Sequence, residues 1–430
     1  MRLSFKIASN TFYQLVGRLV GTFTVLISTA LITRALGAET FGEYAIVMTY
    51  SGLFYVISDF GINAIVTRDF AKSEETAQKN YTKVLGFRIF VGLLISLVAV
   101  VILQFLPYSD AVKAAILVSI PLIFFNSVSK AASVIFQSYL RYKYLMISQV
   151  IGSLVSLALV WFAISKYETE SVAVLIALYT IGTALAASIA VFYTRNYIHL
   201  KHKWIDINYW KYLILDALPL GISLVLNAFM IQADRLLLTV LSVPVSVGIY
   251  TIAYRIFELV LVVPTFFMNA MYPVLIRKKD ESKEQYVLAV NYTLLVMLLM
   301  SILAAIATIL LAPVLVPKVW GEEMKAVVAP LNVLMIGSFV FFLTSPFSWI
   351  LLIEGKQKVL PYIYGAGLVV NLILNVIFIP KYDYMAAAYT TILTEFMILV
   401  VLYSITRKLV YINPLICLYP QKFNYKISKK

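Results

Sequence analysis

The chain has one cysteine in 430 residues, Cys417. A lone thiol excludes an intrachain disulfide and a cysteine-rich metal site. Histidine is almost as scarce. His199 and His202 stand beside Lys201 and Lys203, and without further ligands a solvated basic loop explains them better than a metal does. Charged residues make up only 13% of the chain, against about 25% in soluble domains. No glycine-rich loop ending in Gly-Lys-Ser/Thr occurs, so ATP is not expected to drive the protein directly. No paired acid, nucleophile or metal motif supports catalysis. The chain therefore reads as a non-enzyme without cofactors.

Hydrophobicity is what the chain has in excess, at 62% of residues and a mean hydropathy of +0.90. Apolar runs fall at about 8–33, 41–62, 82–106, 113–137, 144–164, 171–194, 212–240, 247–275, 286–311, 325–353, 358–379 and 385–406. Runs of about 20 residues are the length of a membrane-spanning helix. The pattern predicts an all-α polytopic membrane protein of about 12 helices, and it lacks the short alternation of a β-barrel. The first run is too long for a signal-peptide core and is expected to remain as the first span. Internal prolines at 121, 219, 264 and 346 predict kinks. The connections between runs are short and leave no room for an extramembrane domain.

The net charge of +14 needs no nucleic acid, because no soluble basic domain exists to bind one. Basic loops facing the cytoplasm and its anionic lipids explain it. With the N-terminus inside, 24 of the 35 Lys and Arg fall in inner segments and 6 in outer ones. That bias places both termini in the cytoplasm and the chain in the inner or plasma membrane.

The two halves echo each other. Gly42-Glu43-Tyr44 matches Gly248-Ile249-Tyr250, 206 residues on, and Asn80-Tyr81-Thr82 matches Asn291-Tyr292-Thr293, 211 on. Ile164-Ser165-Lys166-Tyr167 matches Ile379-Pro380-Lys381-Tyr382, 215 on. The matches keep their order and fall at equivalent helix ends. They predict two six-helix lobes with a central cavity. The expected boundaries are 1–200 for the first lobe, 201–211 for a cytoplasmic linker, 212–406 for the second lobe and 407–430 for a basic tail.

The run from Arg34 to Tyr44 (RALGAETFGEY), then Ser58-Asp59-Phe60-Gly61, resembles the start of oligosaccharide flippases. These belong to the multidrug/oligosaccharidyl-lipid/polysaccharide exporter superfamily. Gln232-Ala233-Asp234-Arg235 and Val247-Gly248-Ile249-Tyr250 resemble that family's seventh and eighth helices. One departure is Asp383-Tyr384-Met385-Ala386-Ala387-Ala388, where the family usually has glycines. The resemblance implies alternating access by two lobes. The cargo would be a polyprenyl-diphosphate-linked glycan for O-antigen, lipopolysaccharide or other cell-surface polysaccharide. Glycan polymerase and export machinery are the implied partners.

Five cations lie inside the apolar runs. Helix direction and a rise of about 1.5 Å per residue put Arg18, Arg88 and Lys130 toward the cytoplasm. They put Arg235 and Arg255 toward the outside. Buried charge by default marks a transport path, and a diphosphate wants Arg forks and Lys point charges. With the resemblance, all five are candidate diphosphate ligands. Structural readings stand beside this one. Arg255 and Glu258 are three apart and can pair, and Arg88 can snorkel to the interface. Asp234 and Arg235 are adjacent, point about 100° apart and need separate partners.

Three buried acids, Asp234, Glu258 and Glu395, are candidates for coupling transport to H+ or Na+. Charge balance for Arg235 and Arg255 is the plainer reading of Asp234 and Glu258, which leaves Glu395 as the better coupling candidate. Asn126, Asn227 and Gln232 are candidate sugar contacts, although interhelical hydrogen bonding explains most such amides. Two other functions compete. A cation-coupled multidrug antiporter of the same superfamily would favour an acidic cavity. A membrane polysaccharide polymerase or ligase would need a large outer loop, and the longest here is about 312–324.

Overall fold

The computed structural model describes residues 2–167, 171–198 and 204–413. Among the described residues it is helical without strands. The first unit holds α1 (Arg2–Asp59), α2 (Ile62–Lys72), α3 (Glu74–Leu103), α4 (Asp110–Ser138), α5 (Tyr142–Tyr167) and α6 (Val172–Thr194). Next comes α7 (Ile207–Leu241). The second unit continues with α8 (Pro244–Glu281), α9 (Lys283–Trp320), α10 (Val328–Ile336), α11 (Ser338–Ile353) and α12 (Leu360–Thr406). Two compact units result, Met1–Gln232 and Ala233–Lys430, and the division falls inside α7. His199, His202, Cys417, part of the expected linker and most of the expected tail lie outside the described residues.

The 58 residues of α1 would measure about 87 Å if straight, far beyond a hydrocarbon core of about 30 Å. Gly37 breaks it, with φ 79° and ψ 178°. Asp383 breaks α12 in the same way, with φ 54° and ψ −142°. Among the described residues nine helical stretches are long and apolar enough to cross a membrane, and α7, bent by 58°, makes a tenth. Two of the nine carry these breaks and hold two rods each, which makes twelve. The α7 bend falls between Leu218 and Leu220, where Pro219 removes a backbone donor.

One stretch differs from expectation. Residues after 62 read as a charged loop, yet Ile62–Lys72 is helical. Its buried residues Ile62, Ile65, Val66 and Phe70 recur at helical spacing and give it an apolar stripe. Ser73 ends it and caps α3, its hydroxyl accepting from the Thr76 N–H at 3.2 Å.

Within the first unit the helices approach closely where side chains vanish. A Cβ on Gly182 would lie 2.4 Å from the Gly152 carbonyl oxygen, and one on Gly221 would lie 2.6 Å from the Phe60 ring. Such small-residue contacts let membrane helices pack backbone to backbone. The start of α7 is fixed to α3 and α2. Trp210 stacks on Phe90 at 5.4 Å and donates to the Lys83 carbonyl at 3.0 Å. Lys83 pairs with Asp206 at 2.9 Å, and Arg68 pairs with Asp216 at 2.8 Å.

Each unit also closes on itself through an amide. Gln78, near the start of α3, donates to the Tyr197 carbonyl beyond α6 at 2.6 Å. Asn291, near the start of α9, donates to the Tyr411 carbonyl beyond α12 at 2.9 Å. It also accepts the Asn413 N–H at 2.6 Å.

Candidate functional site

In the first unit a polar seam runs between the end of α1 with α2 and one face of α4. Tyr55, Asp59, Asn63 and Thr67 recur every four residues across the break at Phe60 and Gly61, both at positive φ. Opposite them stand Lys130, Ser133 and Gln137. Asn63 donates to Ser133 at 3.3 Å, and Thr67 to Gln137 at 3.4 Å. Lys130 is half-buried, its ammonium 5.3 Å from the Tyr55 ring centroid. That distance permits a cation–π contact.

Arg88 enters the seam from α3, fully buried at 0% exposure. One guanidinium nitrogen lies 2.8 Å from the Asp59 carboxylate. Another donates to the Ser58 carbonyl at 3.1 Å. The side chain thus binds the last carbonyls of α1, where a helix carries partial negative charge. It does not snorkel, because the carbonyls and the carboxylate hold it inside. Arg18 is exposed on the first rod of α1, outside this seam. Asn126 donates to the Leu122 carbonyl of its own helix at 2.8 Å.

The second unit holds a buried carboxylate in a cage of neutral partners. Asp234 on α7 accepts from Asn375 at 2.6 Å, from the Tyr250 hydroxyl at 3.1 Å and from the Thr391 hydroxyl. Asn371 also bonds it. Thr390 donates to Asn375 at 2.7 Å. The groups around this carboxylate come from α8 and both rods of α12. The expectation that Asp234 balances an arginine is therefore corrected: its hydrogen-bond partners are amides and hydroxyls.

Glu258 does balance charge, and for two arginines. Arg235 lies 3.3 Å from one of its oxygens, and Arg255 lies 3.6 Å from the other at i,i+3. Arg235 is buried and stacks over Tyr254 at 5.0 Å. Arg255 has a side chain 42% exposed. Glu395 is buried and bonds Thr344 on α11. Gln232 is half-buried, and the side chain of Asn227 lies outside the described residues.

Sequence reasoning missed Asp59 as the partner of Arg88, although Asp59 stood in a quoted motif. Asn371 and Asn375, the amide partners of Asp234, were missed as well. Their spacing of four, which puts both on one face, was the available signal. Among the described residues no three His, Cys, Asp or Glu side chains gather as a metal site.

The polysaccharide biosynthesis protein family matches residues 7–278, and the MatE family matches residues 219–377. No curated protein matches the chain. The solved structure of the lipid II flippase MurJ in an inward closed conformation aligns with a TM-score of 0.73 at 16% identity, over 93% of this chain and 87% of that one. An inward-facing multidrug resistance MATE family transporter of the MOP superfamily aligns with a TM-score of 0.73 at 12% identity, over 92% and 97%. A MOP superfamily transporter from Pyrococcus furiosus, described by the reverse polarity of its binding pocket, aligns with a TM-score of 0.59 at 15% identity, over 94% and 95%. The fold is that of these transporters.

Proposed function

Since the chain belongs to the polysaccharide biosynthesis protein family, we propose that it carries a polyprenyl-diphosphate-linked glycan from the inner to the outer leaflet. One observation carries the reading. Each unit sets two cations against one acid inside its membrane helices. Arg88 and Lys130 face Asp59 in the first, and Arg235 and Arg255 face Glu258 in the second. Each cluster keeps a net positive charge, which suits an anionic headgroup in a partly dry site. Lys130 and Arg255, the more exposed member of each pair, are the diphosphate ligands. Arg88 and Arg235 hold the acids in place.

Asp234 and Glu395 supply the coupling. The carboxylate of Asp234, with the hydroxyl oxygens of Tyr250 and Thr391 beside it, forms a hard-oxygen set suited to Na+. Glu395, with Thr344 as its partner, lacks such a set and is the candidate for carrying H+. Filling either site cancels negative charge in the second unit and favours the anion. The bias of loop charge supports placing both termini in the cytoplasm. A glycan polymerase or export complex would take the product.

The test is leaflet transfer of a fluorescent polyprenyl-diphosphate glycan in vesicles holding the purified chain. Transfer that needs the protein and falls with Lys130→Gln supports the reading, and transfer equal to empty vesicles ends it. The MatE match over 219–377 favours a second reading, a cation-coupled drug antiporter. Uptake of a cationic dye in the same vesicles would select it.

A further inference from the structure

In the first unit, α3, α4 and α6 enclose a groove of about 520 Å³. Ile89, Phe124, Phe125, Val128 and Phe192 give it an apolar lining, and Arg195 stands at one end. The groove lies on the side of α4 away from the polar seam. At 3.6 residues per turn, Phe124, Phe125 and Val128 share one face, while Asn126, Lys130, Ser133 and Gln137 share the opposite one. The sequence of α4 thus separates two environments, and the site of the proposed flipping uses only the second.

Depth and charge indicate what fills the groove. Phe124 lies 14 residues into α4, about 21 Å from the outer end, so the lining sits in the inner half of the bilayer. Arg195 directly follows α6, at the level of the inner headgroups if the termini are cytoplasmic. It is exposed, its guanidinium stacks on Phe192 at 5.7 Å, and among the described residues no carboxylate pairs with it. The Ser188 hydroxyl is bonded to Ala184 at 2.8 Å, so the groove wall offers no donor to a sugar. A single cation matches a single phosphate, whereas a diphosphate wants several donors.

We infer that this groove binds an anionic phospholipid of the inner leaflet, with one acyl chain against Phe124, Phe125 and Val128 and its phosphate on Arg195. The experiment uses the full chain carrying Phe125→Trp in nanodiscs. Acyl-brominated phosphatidylglycerol or phosphatidylcholine serves as quencher, and the parent chain as background. The expected result is a preference of about fivefold for phosphatidylglycerol, the size of one basic side chain's contribution at an anionic surface. Arg195→Gln should remove the preference. Ser188→Phe, which fills the groove from an exposed position, should cut quenching by both lipids. Equal quenching by both lipids in the Phe125→Trp chain, or a preference that survives Arg195→Gln, overturns the inference. Displacement of the brominated lipid by equimolar polyprenyl phosphate also overturns it, and assigns the groove to the isoprenoid tail. None of these readings depends on flipping, so the site can fail while the proposed function stands.

Discussion

Arg88 reaches Asp59 at 2.8 Å from a position fully shielded from solvent, and both sit where α1 stops. The pair therefore holds the break between α1 and α2 as much as it sets local charge. Asp59→Asn leaves a buried guanidinium without its counter-ion, a loss of about 3 kcal/mol. Thermal unfolding of the purified protein in detergent should show it as a clear fall in Tm. Arg88→Lys should fall as well, because an ammonium cannot bind the carboxylate and the Ser58 carbonyl in one planar fork.

Lys130→Gln and Arg255→Gln should behave differently. Both side chains are partly exposed and neither closes a helix end. Each variant should keep its Tm and lose about tenfold in glycan transfer, the scale of one charge-assisted hydrogen bond. A variant that loses transfer only in proportion to its Tm would return that residue to a structural role.

Asp234→Asn keeps the shape of the cage and removes its charge. It should abolish the acceleration of transfer by an imposed Na+ gradient while leaving response to a H+ gradient. Glu395→Gln should do the reverse. Flux assays in vesicles with each gradient set separately read both. Unchanged responses in both variants would leave the transport uncoupled to these acids.

Asp383 occupies backbone that favours glycine, and its carboxylate accepts from the Ser242 and Ser246 hydroxyls. Asp383→Gly removes the positive-φ cost of a side chain but loses both bonds. Asp383→Ala keeps the cost and loses the bonds. The alanine variant should be the less stable by about 1 kcal/mol, measured as a difference in Tm. Ser242, just after α7, and Ser246, in the first turn of α8, thus hold an aspartate in backbone that glycine would adopt unaided.

Helix count and class were readable because long apolar runs have few other uses. Arg255 and Glu258 were readable because i,i+3 on a helix is a contact by geometry. Arg88 with Asp59, and Arg235 with Glu258, were not, since 29 and 23 residues separate the partners and only tertiary packing joins them. The helix at Ile62–Lys72 was hidden by its charges, which mask a four-residue apolar stripe. Asp234 looked like a counter-ion because Arg235 adjoins it, yet adjacency on a helix points side chains apart.

The amides Gln78 and Asn291 have a consequence for biogenesis. Each stitches the beginning of a unit's third span to the strand of chain that leaves its last one. Synthesis runs from the N-terminus, and early domains fold before later ones exist. The knot at Gln78 can be tied once Tyr197 has emerged, with most of the second unit still unmade. The membrane then receives a finished half rather than a loose set of helices, and a Gln78→Leu chain should be more open to quality-control proteases during insertion than after it.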